Sequence, residues 1–214
     1  MPYRKVIFAV GEIYHIFNRS LQDIPIFKSN REIDNFLKAM EFYLMPTPPV
    51  KFSIYRRSRK SIPIDLTNPL VKIIAYCLMP NHFHFILFQN QENGIKTYVQ
   101  RLINSYSHYF NIKNARRGPL FESPFKAVRI ETEEQLLHLS RYIHLNPVTA
   151  YLVEHPADYP YSSFSTYLEN KNFIPIESSI ILSLFSTPQQ YEEFVLARKD
   201  YQRELEKIKH LLLE

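Results

Sequence analysis

Apolar and polar residues alternate through GEIYHIFNRS (11–20), which predicts a strand, and the spacing then changes to a helical one. In SNREIDNFLKAMEFYLM, Ser29 or Asn30 is placed to cap a helix whose Ile33, Phe36, Leu37, Met40 and Leu44 share a face. From about 46 to 70 the chain is rich in proline and basic residues and has no long period. It reads as a surface insertion, expected to be disordered or to form a small hairpin. LVKIIAYCLM and HFHFILF are two apolar runs separated by Pro80 and Asn81, which predicts two antiparallel strands joined by a tight turn. IKTYVQRLINSYSHYFNIKN aligns Val99, Leu102, Ile103, Tyr106 and Phe110 on one helical face, and ARRGPLFESP breaks it. FKAVRIE is a short strand, and TEEQLLHLSRYIHLNP is a helix opened by Thr132 with Gln135 three residues on and stopped by Pro147.

The first six elements, in the order β, α, β, β, α, β, predict an α+β fold of the ferredoxin-like (RRM-like) kind. This is a four-stranded antiparallel sheet with helices on one face, followed here by one more helix. One face of the sheet is expected to stay available for a site. After the loop PADYPYSSFSTYL, a helical extension (169–214) carries a stripe of Phe194, Tyr201, Leu205, Ile208 and Leu212. That stripe is expected to pack on its own domain, with a dimer contact as the lesser reading.

With 214 residues, 45% hydrophobic and 22% charged, the chain can bury one ordinary core, and no stretch approaches the ~18 apolar residues of a membrane span. The apolar stretch near the start is too short and interrupted for a secretion signal. The lone Cys77 sits in an apolar run, so a buried thiol and a cytoplasmic setting are expected. A net charge of +5 and a pI near 9.1, concentrated in RRSRK (56–60) and around Arg116 and Arg117, permit a polyanionic partner without requiring one. The three glycines form no phosphate-cradling loop, which excludes nucleotide hydrolysis by that route.

Candidate chemistry concentrates in one strand. Alternation puts His82 and His84 on the same face and Phe83, Phe85 and Leu87 on the other. Such a pair either hydrogen-bonds inside a core or shares a metal ion, and spacing alone leaves the two readings about even. In the helix 133–146, Tyr142 and Asn146 stack on one face with His138 a turn below, beside an apolar stripe of Leu136, Leu139 and Ile143. The helix can therefore lie on the sheet and offer both residues to the histidines. Asn146 precedes a proline and could equally cap a following short helix, PVTAYLV. His15, His108, His138, His144 and His155 are expected to be structural or solvated.

MPNHFHFILF followed by RYIHLNPVTAYLVEHPADYPYSSF resembles the HUH single-tyrosine transposases, and most of all their REP-associated tyrosine branch, from GEIYHIFNRS to about Tyr167. Two separated motifs in the right order make the resemblance specific. It implies a catalytic domain over 1–168. His82 and His84 would bind a divalent ion, Mg²⁺ or Mn²⁺, with Asn146 completing the ligands. Tyr142 would be a nucleophile that opens single-stranded DNA near a hairpin, leaving a 5′-phosphotyrosine link and a free 3′-OH. Free tyrosine, with a pKa of ~10, is under ~1% phenolate at neutral pH, so nearby charge must assist.

Lys126 and Arg129 lie on alternate faces of their strand, so at most one can do this. Arg19, in an Asn-Arg pair shared with relatives, could contact a phosphate or only close a surface salt bridge, and Arg116 and Arg117 are further candidates for DNA contact. Relatives often carry a Gly-Arg pair before the last strand where this chain has ESPFKAV, and RRSRK could grip a hairpin stem or be a basic loop. The alternatives are a binding module of the same fold that does not cleave, and a metal-dependent hydrolase that activates water. The protein would act as a monomer or a homodimer, and the tyrosine could serve its own or a partner's histidines.

Overall fold

The structure is a computed structural model that describes residues 6–58, 62–169 and 174–204. The strands are β1 (Ile13–Arg19), β2 (Val71–Met79), β3 (His82–Gln89) and β4 (Lys126–Ile130), and they form one sheet in the order β2-β3-β1-β4. All three pairings are antiparallel, with Phe17 opposite both His84 and Lys126. This is the expected ferredoxin-like arrangement, with α1 (Asn30–Phe42) and α3 (Gly94–Lys113) crossing between strands. Tyr14, Ile16, Phe83, Phe85 and Leu87 pack from the sheet against Phe36, Met40, Tyr98, Leu102 and Tyr106 of these helices, forming the first core.

The opposite face, expected to be open, is partly roofed. Ile74, Ala75, Cys77, Met79 and Ile86 pack beneath Ile143, Leu145 and Val148 of α4 (Glu133–Thr149), together with Phe164 and Tyr167 of α5 (Phe164–Glu169). The extension contributes α6 (Ser179–Leu182) and α7 (Pro188–Leu196), whose Ile181, Tyr191 and Val195 are buried in the same second core. The expected apolar stripe is realised differently: Phe194 is half-buried and Tyr201 exposed, while Leu205, Ile208 and Leu212 lie outside the described residues.

Two further expectations change. Pro147 does not stop α4, which runs on to Thr149 and ends where Tyr151 turns left-handed (φ 56°). A proline inside a helix leaves one carbonyl without its donor, but Leu145, Pro147 and Val148 are all buried here, and that packing offsets the loss. Asn146 is therefore inside the helix and caps nothing.

Among its described residues the 46–70 insertion is neither disordered nor a hairpin but holds a short helix, α2 (Phe52–Arg57). It is anchored by Phe52 and Tyr55, whose ring centroids lie 5.3 and 4.8 Å from that of Phe42. Arg59 and Lys60 of the basic run lie outside the described residues.

A buried polar chain ties the second core together. His144, fully buried, bonds through Nδ1 to the Tyr191 hydroxyl (2.7 Å) and through Nε2 to Ser163 Oγ (2.8 Å). Ser163 Oγ in turn accepts the Tyr76 backbone N–H of β2 (2.9 Å). Burial lowers the His144 pKa to about 3, so the ring is neutral, donating from one nitrogen and accepting at the other. Below about pH 6.5 the unfolded chain takes up a proton that the folded chain refuses. Stability should therefore fall by about 1.4 kcal/mol per pH unit from this group as pH drops from 6.5 towards 3. Urea midpoints at pH 7.5 and 5.5 check this; a midpoint that does not fall would contradict it.

Candidate active site

The pleat of β3 places His82 and His84 on the roofed face with ring centroids 5.1 Å apart and planes perpendicular. The same alternation in β1 presents His15, Phe17 and Arg19. His15 lies nearly parallel to His84 (5.2 Å between centroids, 18° between planes), with its Nε2 3.0 Å from His84 Nδ1. Burial lowers the pKa of both rings, His15 to about 4 and His84 well below its ordinary value, and the charges of His82, His15 and Arg19 push His84 further down. The contact is therefore between neutral rings, one donating and one accepting. The geometry fits either direction of donation; His84 Nδ1–H donating to His15 is the one that leaves the His84 lone pair at Nε2.

A second chain of contacts orients His82. Asn81 Nδ2 donates to Asp23 Oδ1 (3.2 Å), which turns Asn81 Oδ1 onto His82 Nδ1 at 2.7 Å. An amide oxygen only accepts, so Nδ1 carries the proton and the His82 lone pair also sits at Nε2. Asp23 is held by Arg19 (3.1 Å).

The roof brings the tyrosine. Tyr142, 37% exposed, meets His84 edge-on with ring centroids 5.6 Å apart. One turn on, Asn146 donates its Nδ2 to the Tyr142 carbonyl (2.9 Å), which commits the donor end of the amide and leaves Oδ1 as its ligand-type atom. These four side chains line a cleft of about 520 Å³ together with Phe17, Arg19, Lys126 and Tyr151.

Among the described residues, no group of three His, Cys, Asp or Glu side chains could hold a metal. A cation here would have two imidazole nitrogens and the Asn146 oxygen, completed by water or substrate. That mixed donor set suits Mn²⁺ and is compatible with Mg²⁺.

The sheet register decides between the two strand cations. Lys126 faces Phe17 and enters the cleft, 5.9 Å above the Phe17 ring and 3.5 Å from Glu122. Arg129 pairs with Tyr14 on the other face and is clamped by both carboxylate oxygens of Glu12 (2.7 and 3.1 Å). Lys126→Ala should therefore weaken single-strand binding and lower the salt slope by about one charge, while Arg129→Ala should do neither; a binding titration across salt concentrations measures both.

Arg116 is held by the Asn111 side chain and by the Gly118 and Pro119 carbonyls. Arg117 is exposed on the same loop, and neither lines the cleft. His138 (with Glu134), His144 and His155 (with Glu192) lie outside it, and His108 belongs to the opposite side of the sheet.

Sequence reasoning passed over His15, Asn81 and Asp23. The signal for His15 was present: β1 is central in a ferredoxin-like sheet and adjoins β3, so its alternate residues must sit beside the HxH pair. Asn81 and Asp23 meet across 58 positions by loop packing that no periodicity announces.

The family model for IS200-like transposases matches residues 55–146. A putative REP-associated tyrosine transposase of Haemophilus influenzae is 31% identical over 102 residues, covering 42% of this chain. The chain spans 57% of that relative's length. Among solved structures, a REP-associated tyrosine transposase bound to a REP hairpin superposes with a TM-score of 0.55 at 16% identity, over 77% of this chain and 84% of that one. At that identity the likeness establishes the fold, which agrees with the sheet order and helix placement described above.

Proposed function

We propose, from matches that support the REP-associated branch of the tyrosine transposases, that this chain cuts and rejoins single-stranded DNA next to a hairpin, with Tyr142 as nucleophile. The observation that carries the reading is the approach of Tyr142 to His84 of the same chain, in a cleft that also holds His82, Asn146 and Lys126. The proximity of Tyr142 to His84 of its own chain supports use of the tyrosine in cis, within the proposed 1–168 catalytic region.

In the proposed reaction the Tyr142 oxygen attacks the phosphorus, forming an O–P bond as the bond to the 3′ oxygen breaks. The tyrosine proton leaves and the departing 3′ oxygen gains one, giving a 3′-OH and a 5′-phosphotyrosine. The bond energy is conserved in the ester, so a 3′-OH can reverse the step and rejoin a strand. Lys126 and Arg19 would hold the phosphate and stabilise the charge that develops on it. His15 and Asn81 would fix the tautomers of the two histidines. When bound, Mn²⁺ or Mg²⁺ on His82, His84 and Asn146 would supply Lewis-acid polarisation of the phosphate. By analogy with the hairpin-bound neighbour, a folded palindrome is the proposed recognition element.

The test is a denaturing gel of labelled hairpin oligonucleotides with single-stranded flanks, incubated with protein and Mn²⁺. A labelled band at the protein's position that survives denaturation is expected. Cleavage that yields free 5′-phosphate ends and no adduct would replace this reading with water activation, and binding without either product would reduce the chain to a binding module.

A further inference from the structure

We infer a second binding site, for a single nucleotide, on the face of the protein opposite the histidine cleft. A cavity of about 320 Å³ opens between α1, α2 and α3, a volume suited to a small ligand. Asn35, only 4% exposed, lines it, and neither its Nδ2 nor its Oδ1 has a hydrogen-bond partner. The Tyr109 hydroxyl, on the same cavity, is also buried without one. Folded proteins retain few such atoms, so three of them in side chains that line one cavity point to a ligand towards which these side chains turn.

The charge around the cavity narrows the chemistry. Arg31, Arg56 and Arg57 line it, no carboxylate does, and none of the three is ion-paired among the described residues. Lys113, also on the rim, is already held by Glu32 at 2.8 Å. The Arg56 guanidinium lies 5.0 Å above the Tyr109 ring.

Arginines without acidic partners call for a phosphate. A fully ionised phosphate group only accepts hydrogen bonds and would leave Asn35 Oδ1 unsatisfied. A nucleobase edge with adjacent donor and acceptor satisfies both ends of the amide, and adenine, with its 6-amino group and N7, has that pattern. The Tyr109 and Phe52 rings would supply apolar contact to the base. The chemistry is an adenine base with its phosphate, either as a free nucleotide or as one unpaired nucleotide of a DNA strand. This site accounts for the first half of the basic run RRSRK, and it stands whether or not Tyr142 is a nucleophile.

The test is calorimetric titration of the full chain carrying Tyr142→Phe, so that no cleavage intervenes. The titrants are dAMP, inorganic phosphate, and two DNA hairpins identical except for one bulged adenosine. Expected is binding of dAMP, or preference for the bulged hairpin, weakened about tenfold or more by Asn35→Leu, the size of one bidentate base contact. The first result identifies a free nucleotide as the ligand, the second an unpaired one. Arg56→Ala should weaken the same binding. Because Asn35→Leu replaces an unsatisfied amide by an apolar group of similar size, its melting temperature should hold or rise, which separates lost binding from lost folding. The site is overturned if neither ligand binds, if Asn35→Leu binds as the parent does, or if inorganic phosphate binds as tightly as dAMP.

Discussion

Tyr142→Phe will abolish the protein–DNA adduct and lower strand cleavage by about a thousandfold or more, with the fold intact. The substitution removes one oxygen and keeps the ring that meets His84 edge-on at 5.6 Å. Tyr142 is 37% exposed, so no core is disturbed, and a change in unfolding free energy within about 0.5 kcal/mol is expected. Hairpin binding should survive, since Arg19 and Lys126 remain in the cleft. The combination of full binding, an unchanged melting curve and no adduct is the signature of a lost nucleophile. If the phenylalanine protein cleaves at the parent rate, Tyr142 is an ordinary surface aromatic and the reaction proceeds by another oxygen.

The second large effect is expected from His84→Ala. His84 is 7% exposed, and its Nδ1 is engaged by His15. Truncation removes a donor from the proposed cation site and also leaves His15 without its partner in a largely buried position. It should lower Mn²⁺-dependent adduct formation by about a hundredfold or more and cost about 1–3 kcal/mol of stability. Adding a chelator to the parent protein in the Mn²⁺ assay should abolish the adduct without leaving His15 unpaired.

His15→Phe separates the two consequences. It keeps a ring beside Phe17 and His84 but removes the proposed acceptor of His84 Nδ1–H, so Mn²⁺ affinity should fall by about 10- to 100-fold. Excess Mn²⁺ should restore the His15 variant and not the His84 variant, with affinity read by metal titration and activity by the adduct gel. Equal rescue of both would mean that His84 is not a ligand.

Spacing alone puts His82 and His84 on one face, because the period of a strand is two, and Tyr142 and Asn146 on one helix face, because four residues make about one turn. The succession of elements also indicated the α+β class and a four-stranded antiparallel sheet. Those are local properties, and local properties are written in spacing.

What the sequence left open was settled by non-local packing. Lys126 enters the cleft and Arg129 does not because β4 pairs with β1 in a register that sets Lys126 opposite Phe17. Pro147 sits inside α4 because burial of its neighbours outweighs one missing hydrogen bond. His15, Asn81 and Asp23 reach the histidine pair from positions distant in the chain, and the orphaned amide of Asn35 is exposed as such only once α1, α2 and α3 enclose it. Each of these depends on which groups fill the space around a residue, and that is decided only when the chain closes on itself.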